Sequence, residues 1–286
     1  MPIHVISSEE IESIADISAY SALFVRFPYP FFAQVIGLAK KFRQAGKKVV
    51  DAAIAEGDTD HNKWEMYQNL KAHGIDIPKT ELSSNFKFLN FNFQIPYIVK
   101  WIFGIKGRNV YLIENEQEFK KIESKYPVGE LIAQEYIEAE YEYKVIIVGY
   151  KSLPIVLRFE INNKTKRSDF KTTEVLQLQL SPPFFKEGSL PRAEEVVGVL
   201  KQYASNPSDS LPLATFPHER EGELQRVVSL AETASKATKR ELAKVDILQK
   251  GNQLYVLEVN RWPGFESFEK LSGFNVAGEF VKYLLK

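Results

Sequence analysis

The decisive stretch is the last hairpin, Lys244-Val245-Asp246-Ile247-Leu248-Gln249, a turn Lys250-Gly251-Asn252, then Gln253-Leu254-Tyr255-Val256-Leu257-Glu258-Val259-Asn260-Arg261-Trp262-Pro263-Gly264. Two runs of alternating character around a glycine turn predict paired strands over 244–249 and 253–259. A period of two sets Glu258 and Asn260 on one face of the second strand. Pairing through the short turn brings that face beside Asp246. Two carboxylates and an amide are hard oxygen donors, the set Mg²⁺ takes where phosphate oxygens complete its shell. A lone strand-end acid such as Asp246 is ordinarily a solvated residue. The three donors together, followed by Pro263-Gly264, favour a cation site.

Two stretches upstream carry related chemistry. Lys100 ends the apolar run Tyr97-Ile98-Val99-Lys100 and precedes Gly104-Ile105-Lys106-Gly107-Arg108-Asn109-Val110. A glycine loop between strands can turn backbone N–H groups onto phosphate oxygens while a lysine neutralises their charge. A single G-x-x-G more often marks a plain turn. Gln134-Glu135-Tyr136-Ile137 reads as a strand leaving its sheet, whose backbone donors and acceptors suit an adenine edge; alone it would be an ordinary strand terminus.

Working outward, residues 22–27 predict a strand stopped by Pro28 and Pro30. A helix over 31–45 follows, with Val35, Leu38, Ala39 and Phe42 on one face, then a strand over 49–54. This makes a small α/β unit. A second helix follows Asp60, with Trp64, Tyr67 and Leu70 in phase and Gly74 as its stop. Strands are expected at 97–100, 110–113, 131–136, 143–148, 153–160 and 172–180, interrupted by a helix opened by Asn115 with Glu118. Residues 181–222 hold six prolines and read as an insertion or covering segment, before a helix over 223–242.

The 286 residues contain 37 basic and 37 acidic side chains, which leaves no electrostatic footprint of a nucleic-acid binder. Cysteine is absent, so disulfides and thiolate chemistry are excluded. The four histidines have no metal spacing. The apolar run 21–39 is broken by Arg26, Gln34 and two prolines, and the run 95–105 is short with Lys100 at its centre; neither suits a membrane span. The acidic N-terminal stretch is unlike a signal peptide, so a soluble, cytoplasmic protein is expected. Arg26 ends the first strand and Arg261 follows Asn260, so both could border a reacting centre. Two guanidinium forks there would favour an acidic amino acid or a peptide terminus as substrate.

In order along the chain, Lys63, Gly74-Ile75-Asp76-Ile77-Pro78, Lys100 with its glycine loop, 134–137, Glu142-Tyr143-Lys144, Arg158, Asp246, Glu258 and Asn260-Arg261-Trp262-Pro263-Gly264 resemble the ATP-grasp superfamily. Within it the pattern is similar to the RimK-like ribosomal-protein glutamate ligases and their lysine-biosynthesis relatives, from about residue 26 to 278 with one interruption. The resemblance implies an α+β fold of two α/β subdomains clasping ATP. Residues 1–58 would be a shortened α/β domain lacking about one β–α repeat, and 59–286 the ATP-grasp domain, with a lid at about 77–134. It implies ATP and Mg²⁺ (or Mn²⁺) as cofactors. Lys63, Lys100, Gly104, Lys106 and Gly107 would contact phosphates, Gln134, Glu135, Tyr136 and Ile137 the adenine, and Glu142 the ribose. Arg158 and Arg167 would face the transferring phosphoryl group, Asp246, Glu258 and Asn260 would hold metal, and Arg26 would lie near an acidic substrate. The implied activity is carboxylate–amine ligation through an acyl phosphate, releasing ADP and phosphate, in a homodimer or tetramer. The alternative is an ATP-binding module that recognises peptides without turnover. Departures from the pattern are Lys106 and Arg108 in the loop, Glu142-Tyr143-Lys144 for an aspartate-x-arginine, and Arg167-Ser168-Asp169 for an arginine-serine-asparagine.

Overall fold

The computed structural model describes residues 10–11, 14, 16–26, 31–58, 62–83, 94–104, 108–162, 167–178 and 219–286. Strands β1 (Ala22–Phe24) and β2 (Lys48–Val50) pair in parallel, with Ala22 opposite Lys48. Parallel neighbours need a crossover, and α1 (Phe32–Gln44) provides it, burying Val35, Leu38, Ala39 and Phe42 as its periodicity requires. The strand expected over 49–54 stops at Val50. Ala52–Glu56 form a 3-10 turn that ends at Gly57 with φ 95°. Three alanines in five residues fit a helical turn better than a strand. The first strand also ends early, at Phe24.

Helix α2 (Lys63–Ala72) opens at Asn62, whose side chain accepts a hydrogen bond from the Trp64 amide at 2.9 Å, and buries Met66, Tyr67 and Leu70. Four antiparallel strands follow: β3 (Thr80–Leu82), β4 (Tyr97–Trp101), β5 (Val110–Ile113) and β6 (Leu131–Glu135), in the order β3-β6-β4-β5. Helix α3 (Glu116–Glu123) opens at Asn115 as expected. The Asn115 side-chain Oδ1 accepts from the Glu118 amide at 3.0 Å, and the Glu118 carboxylate accepts from the amide of Glu114, one residue before the cap, at 2.9 Å. Its Phe119 and Ile122 cover the face made by Tyr97, Val99, Leu131 and Ala133. Alternation therefore turns Ile98, Lys100, Ile132 and Gln134 to the other face.

The larger sheet has five antiparallel strands, β7 (Tyr141–Val148), β8 (Lys151–Asn162), β9 (Arg167–Gln177), β10 (Leu242–Lys250) and β11 (Gln253–Asn260), in the order β11-β10-β7-β8-β9. Helix α4 (Glu219–Ala237) covers one face, packing Leu224, Val227, Val228, Ala231 and Ala234 against Tyr143, Val145, Ile147 and Val256. Helices α5 (Glu266–Ser272) and α6 (Val276–Leu284) cover the other, with Phe268 and Val276 against Ile146, Leu157 and Phe159. The expected helix over 223–242 is shifted: it ends at Ala237, and Leu242 already pairs with Val148 in the sheet. Residues 219–222, the tail of the expected insertion, are helical; the rest of it, 181–218, lies outside the described residues, as do 179 and 180 of the expected strand before it. The largest core cluster joins α2 and α4 to both sheets through Tyr67, Ile102, Ile132 and Val145. Each such side chain contributes about 1.5–3 kcal/mol on burial, so both sheets pack against α2 rather than lying as separate bodies. Among the described residues no helix is long and apolar enough to cross a membrane.

Candidate active site

The hairpin register sets the acidic edge. Asp246 lies opposite Glu258 on one side and Lys144 on the other, and Lys244 lies opposite Asn260. Between Asp246 and Ile247 the register shifts by one, leaving Leu257 as an extra residue in β11. Its carbonyl accepts a hydrogen bond from the Tyr67 hydroxyl at 2.8 Å, which holds the bulge against α2. Asn260 donates to Asp246 Oδ2 at 3.2 Å, and Lys144 and Lys244 lie 3.6 and 3.5 Å from the two Asp246 oxygens. Lys144 also donates to Glu142 at 2.6 Å. Asp246 Oδ1 is buried and accepts no hydrogen bond.

The opposing side comes from α2 and the four-stranded sheet. Lys63, at the first turn of α2, pairs with Glu258 through a short contact. Its own amide donates to the Ile102 carbonyl at 3.0 Å, tying α2 to the end of β4. Lys100 is buried and donates to Gln134 Oε1 at 2.6 Å and to the Tyr67 hydroxyl at 3.1 Å. Gln134 is steadied in turn by donating to Thr80 Oγ1 at 2.9 Å. The loop begins at Gly104, where an added Cβ would lie 2.9 Å from the Arg108 carbonyl oxygen and 3.1 Å from that of Trp101. Only glycine fits that approach without displacing backbone.

Burial governs the titration of the group. It pushes the Lys100 ammonium down to about 8, against the pull of Glu258 and Asp246. It lifts Asp246 above the usual carboxylate range, against Lys144 and Lys244. For Glu258 burial works in the same direction but is outweighed by Lys63, Lys100 and Lys244, which hold the carboxyl below its ordinary value. Four ammonium groups thus lie among three carboxylates. That arrangement suits a polyanion bound with a cation.

A RimK-like ATP-grasp domain model matches residues 60–173 and 221–284. The chain belongs to the RimK-like ATP-grasp family. It is 21% identical over 253 residues to the ribosomal protein bS6–L-glutamate ligase of Escherichia coli, spanning 86% of this chain and 70% of that one. Among solved structures it superposes on the Bacillus anthracis D-alanine–D-alanine ligase complexed with ATP at TM-score 0.59, with 17% identity over 100% of this chain and 85% of that one. The ATP-grasp ligase PsnB, complexed with its precursor peptide and AMPPNP, gives TM-score 0.59 and 14% identity over 93% of this chain and 76% of its own. The interruption in the family match, residues 174–220, covers nearly all of the proline-bearing stretch, and the α+β ATP-grasp fold expected from the sequence is the one present.

The fold brings together Lys63, Lys100, Gln134, Glu142, Asp246, Glu258 and Asn260, while Gly104 lies three residues past the end of β4. Glu135 ends β6, with its amide donating to the Lys79 carbonyl at 2.8 Å, and Tyr136 and the buried Ile137 continue from it. Lys106 and Gly107 lie outside the described residues. Arg167 opens β9 opposite Asn162.

Two expected residues are placed elsewhere. Arg158 pairs with Tyr143 across β7 and so points to the α4 face, away from Glu142 and Lys144. There it donates to Glu174 at 2.5 Å, stacks 4.3 Å from the Tyr141 ring centroid and lies 4.0 Å from Glu223 of α4. Arg261 is buried against two aspartates, 2.9 Å from Asp51 and 3.0 Å from Asp58, so its fork is not offered to a substrate. Arg26 is exposed just past the end of β1. Three further residues of the site had a readable signal. Lys144 and Lys244 each sit two positions from a named acid on the same strand face, and Tyr67 is four residues after Lys63 on one helix face.

Proposed function

We propose that this chain is an ADP-forming carboxylate–amine ligase, acting on an acidic amino acid or a peptide or protein terminus. The observation that carries it is the meeting of Lys63 and Lys100 with Asp246, Glu258 and Asn260, drawn from α2, the smaller sheet and the edge of the larger sheet. Among the described residues no three His, Cys, Asp or Glu side chains gather into a metal cage. Two carboxylates and an amide instead leave positions for phosphate oxygens and water, as Mg²⁺ prefers. The buried Asp246 Oδ1, which accepts no hydrogen bond, fits such a cation. When bound, Mg²⁺ would be held by Asp246, Glu258 and Asn260 and would supply positive charge against the charge that builds during phosphoryl transfer.

The chain's own groups do the rest by position and charge. Lys63 and Lys100 are set to neutralise phosphate oxygens, and Gly104 lets the loop after β4 close tightly on itself. Lys144 and Lys244 place positive charge beside the acidic edge, where a carboxylate substrate would otherwise be repelled. The substrate carboxylate oxygen would take the γ-phosphoryl group and release ADP. The amine nitrogen would then attack the acyl carbon, phosphate would leave, and the amine would lose a proton to give the amide. We assign residues 1–58 to an N-terminal unit, 59–286 to the ATP-grasp domain, and the smaller sheet with α3, about 77–134, to the lid. Exposed Arg26 is assigned to the acidic substrate. A cytoplasmic enzyme accords with the cysteine-free sequence.

The test is product analysis with purified protein, Mg-ATP and a panel of acids and amines. ADP that appears only with Mg²⁺ and an acid together supports the assignment. AMP as product, or ATP binding without ADP from any pair, contradicts it.

A further inference from the structure

Arg261 stands one residue past Asn260, where β11 leaves the sheet, and its side chain is 3% exposed. Its Nη1 donates to the Asp58 carbonyl at 3.0 Å and to Oδ1 at 3.2 Å, and its Nη2 meets Oδ2 at 3.0 Å. Its Nε lies 2.9 Å from Asp51 Oδ2 as a contact of opposite charges, without an aligned N–H. The second oxygen of Asp51 accepts from the Glu241 amide at 2.7 Å and the Leu242 amide at 3.1 Å, the backbone that opens β10. The Glu241 carboxylate returns the link by accepting from the Ala52 amide at 2.9 Å. One buried aspartate of the N-terminal unit therefore touches both strands of the acidic hairpin, at the start of β10 and the end of β11. Burying such charges is costly unless they are well paired, so the arrangement is poor value as a stabiliser alone.

We propose that Arg261, with Asp51 and Asp58, is a positioning residue that fixes Asn260 and Asp246 in register for the cation. This rests on the reading of Asp246, Glu258 and Asn260 as metal ligands, and it gives the N-terminal unit a hand in metal affinity. Groups that orient ligands from behind typically change affinity by 10–100-fold when removed.

The test measures Mn²⁺ affinity in the presence of ADP by electron paramagnetic resonance, alongside circular dichroism and the Mg²⁺ dependence of ADP formation. Arg261→Met, if folded, should bind Mn²⁺ about tenfold more weakly and need correspondingly more Mg²⁺ for half-maximal rate. Arg261→Lys, which keeps the charge but not the fork, should recover part of the loss. If Arg261→Met does not fold, Asp58→Asn removes the more exposed partner and should still weaken Mn²⁺ binding about threefold, below that range. A folded variant with a lower melting temperature and unchanged Mn²⁺ affinity overturns the proposal. Glu258→Gln is measured in parallel. If it too binds Mn²⁺ normally, the ligand assignment fails and takes the proposal with it; if it alone loses Mn²⁺, only the positioning role fails.

Discussion

Lys100 offers a prediction in which stability and activity move in opposite directions with pH. Its ammonium is buried between Gln134 and Tyr67, and burial pushes it down from 10.5 to about 8. Between about pH 8 and 10.5 the unfolded chain holds a proton there that the folded chain has released. Stability from this group therefore rises with pH through that window. The phosphate-binding charge is lost over the same range. At pH 7 about nine-tenths of Lys100 is charged and at pH 9 about one-tenth, so kcat/KM for ATP should fall roughly tenfold between them. A lysine titrating at 10.5 would lose only about 3% of its charge over that span. Initial rates of ADP formation from pH 6.5 to 9.5, with melting curves at each pH, measure both effects. Lys100→Met should lower kcat/KM by about 10–100-fold at pH 7, the loss of one charged hydrogen bond, and flatten the alkaline limb. A wild-type profile flat to pH 9, or an alkaline limb that survives in Lys100→Met, would refute the reasoning.

Glu258→Gln should reduce ADP formation by about 10²–10³-fold, the loss expected when charge stabilisation is removed from a transition state, and should also lower the melting temperature, because Lys63 loses the carboxylate it pairs with. Arg158→Met should behave inversely. It breaks the pair with Glu174 and costs about 2 kcal/mol in a denaturant melt, between the exposed and buried cases, while kcat and the KM for ATP stay within about twofold. Arg26→Lys should raise the KM for the acidic substrate about tenfold and leave that for ATP unchanged, because the charge remains and the fork does not.

The hairpin was legible because β-strand alternation is a local rule. A period of two sets Glu258 and Asn260 on one face, but the turn alone would pair Asp246 with Leu257, and it is the bulge at Leu257 that brings Glu258 opposite Asp246. The α1 face and the Asn115 cap were readable for the same reason, since their partners lie within a few residues. Arg158 shows where local rules stop. That a strand carries an arginine is plain, but its face depends on pairing with β7 and on α4, which lies about sixty residues later. Arg261 was misread because its partners, Asp51 and Asp58, lie some two hundred residues upstream. Nothing near Arg261 in sequence announces them. The 3-10 turn at Ala52–Glu56 was hidden by the apolar run it shares with β2.

The most direct measurement of the central claim follows an oxygen atom. Acid substrate labelled with ¹⁸O in its carboxylate is turned over with Mg-ATP and an amine, and the inorganic phosphate is examined by mass spectrometry. Ligation through an acyl phosphate transfers one carboxylate oxygen to phosphate per amide formed, because the C–O bond breaks when nitrogen displaces phosphate. The account predicts ¹⁸O-labelled phosphate in equal amount to amide and ADP. Amide formed with unlabelled phosphate, or label appearing in AMP, would contradict it.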